Sequence, residues 1–175
     1  MATTTSSYPN PTPTPTPSST TTLTNPTFDF PPHYSFPPFF TLQPVASTRS
    51  SQLASWSSLI LSYCRHHRLY TLSPIDAQTT PLFTNSELRR ALPLRDVKTI
   101  LSYMASPEGG NRAEFLDASE GKAWIYWRRP EEWAAVLEEW VDRTGQRGTV
   151  LTLYEIVEGD IAAKEEFRGM DLELL

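Results

Sequence analysis

The placement of proline does most to limit what this chain can fold into. Each proline fixes φ, removes an amide donor and pushes the preceding residue toward extended backbone, so prolines mark where regular structure cannot run. From Met1 to about Phe28 the sequence is Thr, Ser and Pro, as in Asn10-Pro11-Thr12-Pro13-Thr14-Pro15. It carries too little apolar surface to offset chain entropy, and residues 1–28 read as a disordered tail. Two proline pairs follow, in Phe30-Pro31-Pro32-His33-Tyr34-Ser35-Phe36-Pro37-Pro38-Phe39-Phe40. Such pairs favour polyproline II, which would present Tyr34 and Phe40 as apolar anchors from a backbone already low in entropy. Residues 29–46 are therefore predicted to form an extended arm that docks on another chain through Pro31, Pro32, Tyr34, Pro37, Pro38, Phe39 and Phe40. The competing reading is an arm that caps the chain's own core.

Hydrophobic spacing organises the remainder. Ser47 and Thr48 are placed to cap a helix running to about His67, with Leu53, Trp56, Leu59, Ile60 and Tyr63 on one buried face. A short extended piece over 69–72 precedes a helix predicted from Asn85 or Ser86 to Leu92, which Pro93 stops. A third helix presents Leu94, Val97, Ile100, Leu101 and Met104, and two strands over 113–116 and 123–127 flank a turn-rich 117–121. Helix, strand, helix, helix and hairpin is the order of a winged helix over 47–128. A second unit, 129–175, begins without a linker, which predicts a fixed angle between the two. Pro130 suits a first helical position, Glu131 and Glu132 suit the positive end of the macrodipole, and Trp133, Val136, Leu137, Trp140 and Val141 form one stripe ending at Gly145. A strand over 149–156, an acidic break near Glu158 and a helical start over 170–175 complete the expectation. The fold class is α+β, with tandem winged helices behind a disordered tail.

Several function classes find no support. Neither Cys64 nor any serine sits in a nucleophile-elbow or helix-start context, there is no glycine-rich phosphate loop, and Glu131-Glu132 and Glu138-Glu139 point in different directions on a helix. No catalytic residue, cofactor or metal is expected; Cys64 with His66 and His67 lacks a second ligand pair. One cysteine suits a reducing compartment, and the start of the chain has neither a signal peptide's apolar core nor a transit peptide's arginines. Residues 47–128 carry ten basic against seven acidic side chains, and 129–175 five against twelve. Neither is a nucleic-acid footprint: the helix that would enter a groove offers only Arg95 and Lys98, with Asp96 between them. A winged-helix DNA-binding protein is one alternative, and a Pro-Pro-x-Tyr ligand for a WW domain, through Pro31-Pro32-His33-Tyr34, is another. Arg128 and Arg129 lie where the units join, to pair with carboxylates across the junction or to meet an acidic partner.

Specific motifs carry a resemblance. Pro37-Pro38-Phe39-Phe40-Thr41-Leu42-Gln43-Pro44, Gln52-Leu53-Ala54-Ser55-Trp56, Pro81-Leu82-Phe83, Trp127-Arg128-Arg129-Pro130-Glu131-Glu132-Trp133 and Thr152-Leu153-Tyr154-Glu155 resemble the small-subunit family of the ESCRT-II endosomal sorting complex, built from tandem winged helices. The likeness runs from about Phe36 to Leu175 and leaves the tail out. It implies a non-catalytic role in multivesicular-body sorting of ubiquitinated membrane cargo, cytoplasmic and on endosomes only through the complex. It also implies two copies in a Y-shaped assembly, docking of the Pro-Pro-aromatic motifs on two larger winged-helix subunits, and recruitment of the nucleating ESCRT-III subunit by the second unit. That partner's basic helix would be steered by the acidic 129–175 segment. Against this pattern the second winged helix is expected to be incomplete, with Trp133, Trp140 and Tyr154 partly uncovered unless they pack on the first unit or a partner.

Overall fold

The computed structural model describes residues 27–175, so the predicted tail lies almost wholly outside the described residues. At the arm, hydrogen bonds close on each proline pair. Pro32–Ser35 and Pro37–Phe40 each make one turn of 3₁₀ helix, held by the Tyr34 amide donating to the Pro31 carbonyl and the Phe39 amide to that of Phe36, both at 2.9 Å. The expected polyproline II backbone is therefore corrected. A turn aims Tyr34, Phe39 and Phe40 inward, leaving them 7%, 6% and 2% exposed. Burying one large aromatic contributes roughly 1.5–3 kcal/mol, and three of them outweigh a weak backbone preference.

The arm lies on a long helix, α1 (Ala46–His67). Val45 is its N-cap and no side chain caps it, so the predicted capping by Ser47 and Thr48 is not made; the helix starts earlier and both hydroxyls fall within its first turn. It ends at Arg68, whose φ of 52° turns the chain into β1 (Thr71–Leu72). Next comes the short α2 (Pro74–Ala77), capped by the Ser73 hydroxyl accepting from the Asp76 amide.

The helix predicted over 85–92 is replaced by a hairpin of β2 (Thr84–Asn85) and β3 (Arg90–Ala91). Asn85 does use its Oδ1 as a cap, accepting from the Leu88 amide at 3.0 Å, but the turn it closes goes no further. A helix of eight residues gains little by itself against its nucleation cost, so tertiary packing decides. The alternative docks Leu92 into the core, with its amide on the Phe83 carbonyl at 2.9 Å. Beyond Pro93, α3 (Leu94–Ala105) buries Val97, Ile100, Leu101 and Met104, as its spacing predicts. The strands β4 (Ala113–Phe115) and β5 (Ala123–Ile125) pair antiparallel, and β1 adds on the far side of β5 to give the order β1-β5-β4.

After Arg129, α4 (Pro130–Thr144) ends at Gly145, whose φ of 69° lets the Gln146 amide reach back to the Val141 carbonyl at 2.9 Å. The strand predicted over 149–156 is a loop followed by α5 (Leu153–Glu158). Thr152 and Glu155 form a capping box there: the Thr152 hydroxyl accepts from the Glu155 amide at 3.2 Å and the Glu155 carboxylate from the Thr152 amide at 2.7 Å. Those two bonds outweigh the β preference of the branched residues around them. Residues 170–175 form turns rather than a helical start. Trp133 and Trp140 are covered, the first by Tyr70 and Trp127 of the preceding segment and the second by Phe167, whereas Tyr154 is 67% exposed.

The buried apolar side chains make one continuous cluster from Tyr34 to Met170. The arm is part of that core, so Phe40→Ala is expected to lower the unfolding free energy by about 3–5 kcal/mol in urea titrations followed by tryptophan fluorescence. A loss under about 1 kcal/mol would detach the arm from the core.

Candidate partner-docking site

Residues one helical turn apart share a face, and on α1 this pairs Gln52 with Trp56 beneath the arm. The Gln52 amide nitrogen, deep in the seam, donates to the carbonyls of Phe39 at 2.8 Å and Thr41 at 3.0 Å, while its Oε1 accepts from the Gln43 amide at 3.0 Å. Trp56 donates Nε1 to the Phe39 carbonyl at 3.1 Å and stacks on the Phe39 ring, centroids 4.2 Å apart and planes 11° from parallel. A second attachment forms at Tyr34. Its hydroxyl donates to the Pro81 carbonyl, its ring stacks on Phe30 at 4.0 Å, and the Asn85 side-chain Nδ2 donates to its backbone carbonyl at 3.1 Å. Burial, with Tyr63 nearby, pushes the Tyr34 phenol up to about 12.

Two surfaces result from this anchoring. Of the residues predicted to meet a partner, Tyr34, Phe39 and Phe40 face inward and hold the arm down; as outward anchors they are corrected. Pro32, Pro37 and Pro38 are exposed and Pro31 is half-buried. Between them stands Phe36, which the sequence reading passed over because it does not follow a proline pair; it is 60% exposed. A groove of about 440 Å³ opens beside it, lined by Phe36, Pro38, Gln43, Thr48, Ser51 and Ser55. Phe39, Gln52 and His33 complete the lining, and its exposed surface is mostly apolar, suited to an apolar side chain from another protein.

The junction is a second cluster. Arg128 donates Nε to Glu166 Oε2 at 2.9 Å, and its guanidinium lies 5.4 Å from the centre of the Trp133 ring. Arg129 reaches the Gly110 carbonyl at 3.3 Å, and its amide donates to Glu132 at 2.7 Å. Burial pushes the Glu166 carboxyl up, but Arg128 and Arg65 more than reverse this and hold it below the usual carboxylate range. Sequence reasoning placed the two arginines and missed Glu166, whose only signal was the excess of carboxylates in 129–175.

Elsewhere the chemistry is structural. Cys64 is wholly buried, which pushes its thiol up to about 12, and among the described residues no group of three His, Cys, Asp or Glu is placed to hold a metal. On α3, Arg95 lies 3.2 Å from Asp96 and Lys98 lies 3.5 Å from Glu120, so each basic side chain has a carboxylate beside it, although Arg95 is itself largely exposed. No helix among the described residues is long and apolar enough to cross a membrane.

Residues 33–171 match the family model described as ESCRT-II complex subunit. The chain belongs to that family. It is 45% identical over 148 residues to vacuolar protein-sorting-associated protein 25 of Xenopus laevis, covering 85% of this chain and 83% of that one. Its structure resembles the crystal structure of subunit VPS25 of the endosomal trafficking complex ESCRT-II, with a TM-score of 0.72 and 28% identity over 82% of this chain and 81% of that one. It also resembles a chain in the crystal structure of endosomal complex ESCRT-II (VPS22/VPS25/VPS36), with a TM-score of 0.69 and 30% identity over 81% of each. The span matched by the ESCRT-II family opens inside the arm, at His33, and runs past Glu166, so the Phe36 groove and the junction lie within it and Pro31 and Pro32 just before it.

Tyr34 provides a titration of the arm's attachment. The folded phenol ionises at about 12 and the free one near 10.0, so the stability it contributes is complete below pH 10 and is lost as the pH rises toward 12. Tyr34→Phe is expected to flatten that part of the stability profile and to remove one late-titrating phenol from absorbance at 295 nm; an unchanged profile would contradict the burial assigned to it.

Proposed function

We propose that this chain is a non-catalytic subunit of an ESCRT-II complex, acting in endosomal sorting of ubiquitinated membrane cargo by bridging protein partners. The family membership supports the complex. The finer reading rests on Phe36: a large apolar side chain left exposed on an arm whose Tyr34, Phe39 and Phe40 are buried, beside a groove and two proline pairs. Hydrophobic anchors of this size dominate protein interfaces when the surrounding surface is already rigid. The partners proposed for this face are two larger winged-helix subunits, in keeping with the VPS22 and VPS36 that accompany VPS25 in the related complex. Pro31, Pro32, Pro37 and Pro38 shape the contact, while Tyr34, Phe39 and Phe40 act from beneath by fixing the arm.

The architecture from α1 to β5 supports a winged helix put to protein binding rather than DNA reading, since α3 offers only two basic side chains and a carboxylate stands beside each. The same inward turn of Tyr34 tells against a WW-domain ligand, which needs an extended Pro-Pro-x-Tyr. The segment over 129–175 is proposed to recruit the nucleating ESCRT-III subunit, its carboxylates steering a basic helix, with two copies of this chain per complex and the membrane reached through the complex alone.

Phe36→Ala removes the proposed anchor without touching the core. Titration of the purified chain against the two larger subunits is expected to show at least about a tenfold loss of affinity, with thermal unfolding unchanged. Undiminished binding by this variant would overturn the assignment of the arm's outer face.

A further inference from the structure

One carboxylate ties the link between the two halves of the molecule to the last turn of α1. The chain passes from β5 to α4 through Arg128 and Arg129, and near that link Trp133 packs edge-on to Trp127 at 4.8 Å. That contact lies beside the link itself and gives little leverage over the angle between the halves. Glu166 lies beyond α5, and its two oxygens take different partners: Oε1 accepts from Arg65 Nε at 3.0 Å, with a second Arg65 nitrogen at 2.8 Å, and Oε2 accepts from Arg128. Arg65 belongs to the last turn of α1, so this contact spans 101 residues. Next to it Arg68 donates to the Arg168 carbonyl at 3.2 Å, and Phe167, the residue after Glu166, is fully buried against Trp140.

We infer that Glu166 is a positioning residue: by accepting from Arg65 and Arg128 at once it locks the 129–175 segment at one angle against α1 and the sheet. The tryptophan pair with Arg128 fixes the link, and the bond to Arg65 adds a second fixed point on α1 that the link alone does not supply. Geometry favours Glu166 in this role over the other ion pairs that join carboxylates of 129–175. Arg143 with Glu165 at 2.7 Å, Arg147 with Asp142 at 2.6 Å and Arg168 with Glu158 at 3.9 Å stay within that segment, and Arg112 with Glu132 at 3.8 Å acts beside the link. The groups facing Glu166 are both guanidiniums, permanently charged, and the Glu166 side chain keeps only 30% of its surface in contact with solvent. A rigid angle would place the arm's docking face and the acidic segment at a fixed separation, and this inference stands whether or not either face binds the partner proposed for it.

The test is a distance distribution between spin labels at Ser58→Cys on α1 and Tyr154→Cys on α5, both exposed; native Cys64 is wholly buried and stays unlabelled. The intact chain is expected to give one narrow distribution. Glu166→Gln should broaden it at least about twofold while circular dichroism and Trp140 burial are retained, and Arg65→Met should do the same, with no added broadening in the double variant because both remove the same contact. Salt near 1 M should broaden the intact chain in the same direction, since a partly exposed pair is screened. A distribution that stays narrow in Glu166→Gln overturns the inference; if that variant fails to fold, Arg65→Met decides on the same scale.

Discussion

The stack of Phe39 on Trp56, with Gln52 bonded to the backbone on either side of it, is the contact on which the rest of the structure depends. Trp56 is fully buried, edge-on to Phe40 at 5.7 Å and tilted against Phe83 at the same distance, so the arm, α1 and the segment before the hairpin meet on one ring. A glutamine amide in such a place is costly unless its donors and acceptor are used, and here the arm's carbonyls and the Gln43 amide use them. The partners of that amide are backbone groups of Phe39, Thr41 and Gln43, so satisfying it and seating the arm are the same event. Register follows: shifting the arm by one residue would strand the amide and expose Phe39.

Anchoring divides the arm's residues by role. Aromatics that turn inward become core, and the prolines and Phe36 are left on a surface whose conformation is already decided. A flexible peptide would lose conformational entropy on binding a partner; this arm has lost it on folding, so more of any contact energy remains as affinity. The junction follows the same logic. Trp133 fills the space beside Trp127 and Tyr70, and Arg128 lies over Trp133 with its charge directed to Glu166. If the chain bridges partners as proposed for an ESCRT-II family member, both features would let a short sequence act as a spacer.

Much of this was legible in the residues, and the parts that were not have identifiable causes. Long helices with a full apolar stripe, α1, α3 and α4, could be read because period and length agree, and Pro93 and Pro130 mark their starts. Short elements could not. Asn85 is a good cap wherever it sits, and only the docking of Leu92 on Phe83 decides that it closes a turn instead of opening a helix. Thr152 and Glu155 spell a capping box, a local signal that was available and was outweighed by the β-branched residues near it. For the candidate site, the proline pairs and the aromatics were visible as a unit, yet which face each aromatic takes depends on Trp56 and Pro81, both distant in sequence. Glu166 carries no local mark, because its meaning comes from Arg65, 101 residues away.

Amide hydrogen exchange on the arm of the isolated chain tests the central claim, that the proline pairs form anchored turns and not a free docking peptide. The amides of Tyr34, Phe36, Phe39 and Thr41 each donate within a 3₁₀ turn or at its end, to Pro31, His33, Phe36 and Pro38 respectively. Buried aromatics beneath them should let these amides exchange only with the opening of α1, giving protection comparable to that of Trp56 and Ile60. Exchange at the rate of an unstructured peptide, with α1 still protected, would contradict the account.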